Sequence, residues 1–561
     1  MRNLRLAILV GLASLALLIV TEPGMSIVWD EGYTLGRVER VRLWLKAIYD
    51  PPKFSANWSP PELELVQAQG LPAPNARQVS SRWSLFFEPR VVGWFWPFAR
   101  EEPHGHPPFY ALVALIGDLV TPWREPLART RFGTILFHSI ACASLFHVLK
   151  KRFGILAAIS SSICWTASPQ LFGLAHYATY DGLLSSLWLM GLLATAEAND
   201  AVGRKQAIRR FALSGLIFGA SMSTKLSGWF LIGPMVFGAM IGGPWKRQFK
   251  GLLLSLCIAT VSLYLFNPSW WCEPVGGPLR FFKSNLTRGR TIPIETLYLG
   301  QVYKTPLESL PWSNTLVWTI LATPVIALIA SLVGLIPSSR RGPQRTFTQI
   351  LAVGWFIPLA LRALPHTPGH DGVRQFIAGL GVGTAMTGIG IGWIYLRKPL
   401  LAKGLTGFLI AEVLMSLAHY YPAPLSYFSP VVGGLPGAAR LGMEPTYYWD
   451  GLTPDALDWL NANTDASERL AFRGFPTSFF YLHQVGKLKP LVDPRTAGPF
   501  RWLVMQNRPG NFEERDREVV RKLKPAYTYI KYGVWLVSIY DMNEVQTVWS
   551  ETLSKPNRKQ P

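Results

Sequence analysis

Long apolar runs constrain this chain more than any other feature. Stretches near residues 6–21, 107–121, 132–149, 153–170, 182–198, 211–224, 226–243, 251–267, 314–336, 348–364, 374–396 and 402–419 carry few or no charges. A helix needs about 20 such residues to cross the hydrocarbon core of a bilayer. The chain therefore reads as a mainly α, polytopic membrane protein. Its composition agrees. Charged residues make up 16% and hydrophobic residues 49%, whereas a soluble protein usually carries about 25% charged residues. Its 22 Trp suit the two bilayer interfaces, and its 44 Pro are tolerated better in membrane helices than in soluble ones.

The formal charge is +21, from 55 Lys and Arg against 34 Asp and Glu. Much of the excess lies in short loops between apolar runs, where it orients a protein in the bilayer. No basic face with interleaved aromatics appears on a soluble segment, so nucleic acid is not an expected partner. Cys142, Cys164 and Cys257 lie inside apolar runs and only Cys272 falls in a loop, which is neither a disulfide framework nor a zinc spacing. Arg2 and Arg5 precede the first apolar run, and TEPGMSIVWDEGY follows it without a small-x-small cleavage site. It reads as an uncleaved first span.

Topology turns on 107–121. If that run crosses, the clusters Lys150–Arg152, Arg204–Arg210, Lys246–Lys250, Arg340–Arg345 and Arg397–Lys403 cannot share a side with a cytoplasmic N-terminus. If it lies on the outer surface as a juxtamembrane helix, all of them become cytoplasmic. The positive-inside rule favours the second arrangement, with about eleven spans. Asp118 within the run and its start at Pro107–Pro108 also fit an interfacial helix. The expected organisation is a membrane module over 1–420, with a first outer loop over 22–131, and a small soluble α/β domain within 421–561. In that tail, TPDALDWLNANT predicts a helix with Thr453 as its cap, and YTYIKYGVWLVSIYD predicts a strand or a pair of strands.

This topology collects polar motifs on one side. WDEGY (Trp29–Tyr33) follows the first span, HGHPPFY (His104–Tyr110) opens the juxtamembrane helix, and HYATYDG (His176–Gly182) precedes a later span. STKLSG (Ser223–Gly228) and HDGVRQF (His370–Phe376) lie at two further outer turns. Charges at the mouth of a membrane bundle are costly unless they face water or a ligand. A carboxylate there can act as general base on an acceptor hydroxyl, and a second acid can orient it. Lys and Arg can hold the phosphate of a lipid-linked donor.

These motifs resemble the GT-C glycosyltransferases, in particular the bacterial branch similar to protein O-mannosyltransferases and the lipid A aminoarabinose transferase. The shared features are the acidic pair Asp30–Glu31, the His106-Pro107-Pro108-Phe109-Tyr110 helix start, the lone Asp181 opening a span, and GASMSTK ending at Lys225. They cover residues 1–420 in architecture. The resemblance implies an inverting transfer from a polyprenyl-phosphate sugar to a hydroxyl on protein, glycan or lipid, in a bacterial inner membrane with the site and the tail extracytoplasmic. It implies Asp30 as base or acceptor-orienting group, supported by Glu31, with Asp181 contacting acceptor or sugar. Lys225 and Arg374 would meet the phosphate, and Tyr33, His106, Tyr177, His370 and Asp371 would line the acceptor and sugar sites. No cofactor is implied; a carboxylate site could take a divalent cation through its oxygens, but none is indicated. The long first loop departs from the pattern and leaves the acceptor open.

Simpler readings stand beside these. Asp30–Glu31 could be the solvated end of a helix, Asp181 an N-cap, Lys225 a snorkelling side chain, and Arg374 with Asp371 a structural turn. Alternate His residues in a Pro-rich loop are more often interfacial than ligating. SNLTRG (Ser284–Gly289) contains an N-x-T pattern that matters only in a eukaryotic lumen. A transporter or flippase is the rival class, although no matching halves appear and the polar groups gather at one face.

Overall fold

The computed structural model describes residues 2–60, 72–97, 106–287, 293–340, 342, 344–474, 478–492 and 499–554. His104 and the last residues of SNLTRG lie outside them. Among the described residues, six helices are long and apolar enough to cross a membrane: Asn3–Gly24, Pro126–Phe153, Trp245–Leu265, Arg345–Ala363, Arg374–Tyr395 and Pro399–Tyr420. The pair Ile155–Ala167 and Pro169–His176 would make a seventh, bent by 58° at its break. Pro169 cannot donate to the ladder, so the helix restarts there.

The remaining expected spans are helical but do not meet the same test, and the reason is local. Tyr180–Asn199 is long enough, but it carries Asp181 and Glu197 and is buried almost throughout, so protein surrounds it in place of lipid. Arg204–Met222 begins in basic residues. The run from Leu226 opens as a 3₁₀ turn before Ile232–Ile241, and Pro324 separates Asn314–Ala322 from Val325–Val333. Phe109–Val120 has 12 residues. At 1.5 Å per residue it reaches only about 18 Å, too short to cross, as expected of a juxtamembrane helix. Its Asp118 accepts from Arg42 at 2.5 and 3.1 Å, which ties it to the helix Glu31–Tyr49.

The basic clusters meet at one end of the bundle. Arg152 pairs with Asp200 at 2.8 Å, and Lys151 and Arg210 reach Glu197 at 3.2 and 3.3 Å. Arg152 also donates to Gln344 at 3.3 Å, and Arg340 and Arg397 both lie over the Trp393 ring. Asp181 starts the helix whose other end carries Glu197, so about 25 Å of helix separates these clusters from Asp181. An epitope tag placed after Tyr420 should therefore be reached by an impermeant reagent from the side opposite a tag placed in the Arg397–Lys403 turn. Labelling of both from one side would break this arrangement.

The C-terminal unit is a four-stranded sheet in the order Arg469–Arg473, Phe500–Gln506, Val534–Asp541, Tyr527–Lys531. The first pair is parallel and the others antiparallel. YTYIKYGVWLVSIYD, expected as a strand or a pair of strands, forms an antiparallel pair that turns at Tyr532 and Gly533, both with positive φ (50° and 76°), as a two-residue hairpin turn requires. The helix foreseen at TPDALDWLNANT spans Pro454–Ala462, with Thr453 in cap position but making no side-chain cap bond. The change of core falls later than residue 421. Tyr427, Phe428, Tyr447 and Tyr448 pack with the helical bundle, whereas Trp449 and Leu452 belong to the core under the sheet.

Candidate active site

Two adjacent acids take opposite directions. Asp30 is the residue before the helix Glu31–Tyr49, and its side chain does not cap that helix. One residue along a helix turns the side chain by about 100°. Glu31 points inward and is fully buried. Its Oε1 accepts from Arg131 Nε at 2.8 Å and from Ala178 N at 2.7 Å. Its Oε2 accepts from Arg131 Nη2 at 2.7 Å and Val28 N at 3.0 Å. Arg131 also pairs with Glu22 at 3.0 Å and donates to the carbonyls of Ser26 and Met25. Every lone-pair position of Glu31 is used, so it builds the loop and does not present an acid to a ligand.

Asp30 points the other way and its side chain is 31% exposed. Its Oδ2 accepts from the Tyr448 hydroxyl at 2.8 Å and from Arg374 Nη1. Burial alone would push its pKa up, but the Arg374 guanidinium and the Tyr448 hydroxyl hold it below the usual carboxylate range.

Arg374 is the hub. It is buried at the start of the Arg374–Tyr395 helix, with its guanidinium 4.4 Å from the Tyr448 ring centre. Nη1 faces Asp30, Asp181 Oδ2 at 3.4 Å and the Tyr448 hydroxyl at 3.0 Å, while Nη2 donates to Asp371 at 2.5 Å. Asp181 bridges the two cations, accepting from Lys225 Nζ at 2.5 Å through its other oxygen. Lys225 also donates to Gln375 at 3.3 Å. Asp371 sits in a turn with φ 62°, followed by Gly372 at φ 57°. Burial pushes its carboxyl up, but Arg374 and Arg508 outweigh that and hold it at about 2.

Beside this cluster lies a cavity of about 720 Å³. Its polar lining includes Asp181, Lys225, Arg362, Arg374, Gln375 and the three histidines His106, His366 and His370. Leu184, Trp188, Phe230, Leu361 and Ile377 add apolar surface to the same lining. A charged head on an apolar tail fits such a lining. Among the described residues no group of three or more His, Cys, Asp or Glu is placed to hold a metal ion.

The structure thus brings together Asp181, Lys225, Arg374, His370 and His106 on the cavity, with Asp30 and Asp371 joined to it through Arg374. It does not bring three others. Glu31 is locked in its ion pair. Tyr177 is buried behind the site, with the Arg131 guanidinium 5.6 Å from its ring, and supports the Glu31–Arg131 pair instead of lining the cavity. Tyr33 is 41% exposed, lies near Arg37 and also stands off the cavity. Sequence reasoning missed Gln375, Arg362, Tyr448 and Arg508. Gln375 lies inside HDGVRQF, and Arg362 near the end of the 348–364 apolar run. The last two come from the tail, and no local pattern marks them.

Residues 105–271 match the dolichyl-phosphate-mannose-protein mannosyltransferase family. Among solved structures, ArnT from Cupriavidus metallidurans bound to undecaprenyl phosphate is 12% identical, with a TM-score of 0.51 over 95% of this chain and 97% of that one. The oligosaccharyltransferase AglB from Archaeoglobus fulgidus, in complex with an inhibitory peptide and a dolichol-phosphate, is 12% identical. Its TM-score is 0.41, over 73% of this chain and 62% of that one. Comparison with curated proteins gives no match. The chain therefore shares the fold of ArnT, and its residues 105–271 carry the match to the mannosyltransferase family.

Proposed function

We propose that the protein transfers a monosaccharide from a polyprenyl-phosphate donor to a hydroxyl acceptor on the extracytoplasmic face of the membrane, with inversion at the anomeric carbon. One observation carries the reading: Lys225 and Arg374 share Asp181 in the lining of a cavity that Leu184, Trp188 and Ile377 also line. That lining suits a phosphate on a lipid tail, and the similar ArnT structure is the one bound to undecaprenyl phosphate.

In this mechanism the acceptor oxygen attacks the anomeric carbon while the bond to the phosphate oxygen breaks. The leaving phosphate keeps the electron pair, stabilised by Lys225 and Arg374. The acceptor proton passes to Asp30. Arg374 and Tyr448 hold Asp30 ionised, which makes it a weak base. A bound phosphate competes for Arg374, which lets the Asp30 pKa rise towards the range useful for proton transfer.

A pH dependence follows with a definite sign. Asp30 is active when ionised, so turnover is present above its pKa and lost as pH falls through it. In the free protein that point lies below about 3.9, the ordinary Asp value. The acid limb of kcat/KM, which reports the free protein, should therefore lie at lower pH than the limb of kcat, which reports the donor complex. Coincident limbs would remove the proposed coupling.

The donor assignment is tested with Lys225→Ala in membranes supplied with a polyprenyl-phosphate sugar. A hydrogen bond to a charged group is worth roughly 1.5–3 kcal/mol, so donor KM should rise by about 10- to 100-fold while acceptor KM changes little. An unchanged donor dependence would count against phosphate contact at Lys225.

A further inference from the structure

The soluble domain reaches into the site through one side chain. Arg508 lies two residues beyond the strand Phe500–Gln506 and is buried. Its Nη1 pairs with Asp371 Oδ1 at 3.0 Å and donates to the Tyr447 carbonyl at 3.0 Å, while Nε stands 3.5 Å from Glu444. Glu444 in turn accepts from Leu297 N at 3.2 Å. Asp371 is thus shared between two guanidiniums, Arg508 on one oxygen and Arg374 on the other. We infer that Arg508 is a positioning residue for transfer: by holding Asp371 it fixes Arg374 between Asp30 and Asp181, so the soluble domain is part of the active site.

The physical reason is competition for one cation. Arg374 faces three carboxylates, and where its guanidinium settles depends on how much each one attracts it. With Arg508 present, part of the Asp371 charge is already answered and its turn is anchored to the domain. Arg374 then keeps one nitrogen on Asp371 and aims the other at Asp30 and Asp181. Without Arg508, Asp371 becomes a full and less restrained counter-charge three residues from Arg374 and draws it off Asp30. Neither Arg508 nor Glu444 lines the cavity, so the effect on chemistry would pass through Asp371 and Arg374.

This inference rests on the proposed transfer, so the test has two readouts. The first is steady-state transfer by full-length protein in membranes with a polyprenyl-phosphate sugar, comparing wild type, Arg508→Gln, Arg508→Lys, Asp371→Asn and the double variant. Arg508→Gln should lower kcat by about 10- to 100-fold, the effect of misplacing one charged contact, with acceptor KM nearly unchanged. It should also shift the acid limb of kcat/KM upward, because Asp30 loses its cation. Arg508→Lys should recover much of kcat. The double variant should be no slower than Arg508→Gln alone, since both changes act on one contact. A folded Arg508→Gln protein with near-normal kcat, or purely additive effects, overturns the inference. The second readout needs no activity: an experimental structure of the Arg508→Gln protein. Arg374 should leave Asp30. If it still bridges Asp30 and Asp181, the positioning role is wrong, whatever the protein transfers. Wild type that transfers no sugar would count against the proposed function alone.

Discussion

Asp30→Asn is expected to lower sugar transfer by about 10²- to 10⁴-fold, the range a general base contributes, while the protein still folds and inserts. The separation of the two effects follows from the site. Asp30 is partly exposed, and its contacts are with Arg374 and Tyr448, to which an amide oxygen can still accept. What the substitution removes is the negative charge and the ability to take a proton. The measurement is turnover per folded protein, with folding read by monodisperse elution in detergent. Transfer within a few-fold of wild type would remove Asp30 from the chemistry. Loss of folding would mean that Asp30 holds the loop together as its neighbour does.

Glu31→Gln, one residue later, should do the reverse. Its carboxylate is buried, meets Arg131 through both oxygens and receives two backbone N–H groups. The change leaves Arg131 buried against Glu22 alone, and breaking a buried ion pair from one side typically costs about 3–5 kcal/mol. That is a large fraction of the roughly 5–15 kcal/mol that holds a typical native domain together. The expected result is low yield, a lower thermal midpoint and loss of the 25–31 segment's order. Whatever folded protein survives should turn over at near the wild-type rate, because Glu31 touches no cavity-lining group of the proposed reaction. Normal stability with lost turnover would reverse the roles assigned to the two acids.

Much of the bundle was legible in the sequence because lipid imposes a strict rule. Apolar runs must be helices, and the positions of Lys and Arg between them fixed which ends lie together. That is how Asp181, Lys225 and Arg374 could be gathered before any coordinates. The limits have equally physical causes. Asp30 and Glu31 read as one acidic pair, and only the start of the helix at Glu31 decides which of them faces the site. Tyr177 looked like a site residue because HYATYDG is polar and aromatic beside Asp181, yet its ring is needed beside the buried Arg131. Tyr448 meets Asp30 across 418 residues of sequence, and Arg508 arrives by way of a separate sheet. No periodicity or local motif carries contacts of that kind. Tyr180–Asn199 is helical as expected, but hydropathy understates it because neighbouring helices surround it, whereas Pro324 splits 314–336 into two shorter helices.

Asp181 answers both Lys225 and Arg374. The two cations therefore never wait unsatisfied, and any incoming anion must displace a carboxylate that is tethered and always present. Free phosphate has nothing with which to offset that displacement. A lipid phosphate does, because its chain can settle against Leu184, Trp188 and Ile377. In this view Asp181 acts as an internal competitor that sets an entry threshold. Ligands pass it by joining charge to hydrocarbon, and a spent lipid phosphate is eased out as the carboxylate reclaims its partners.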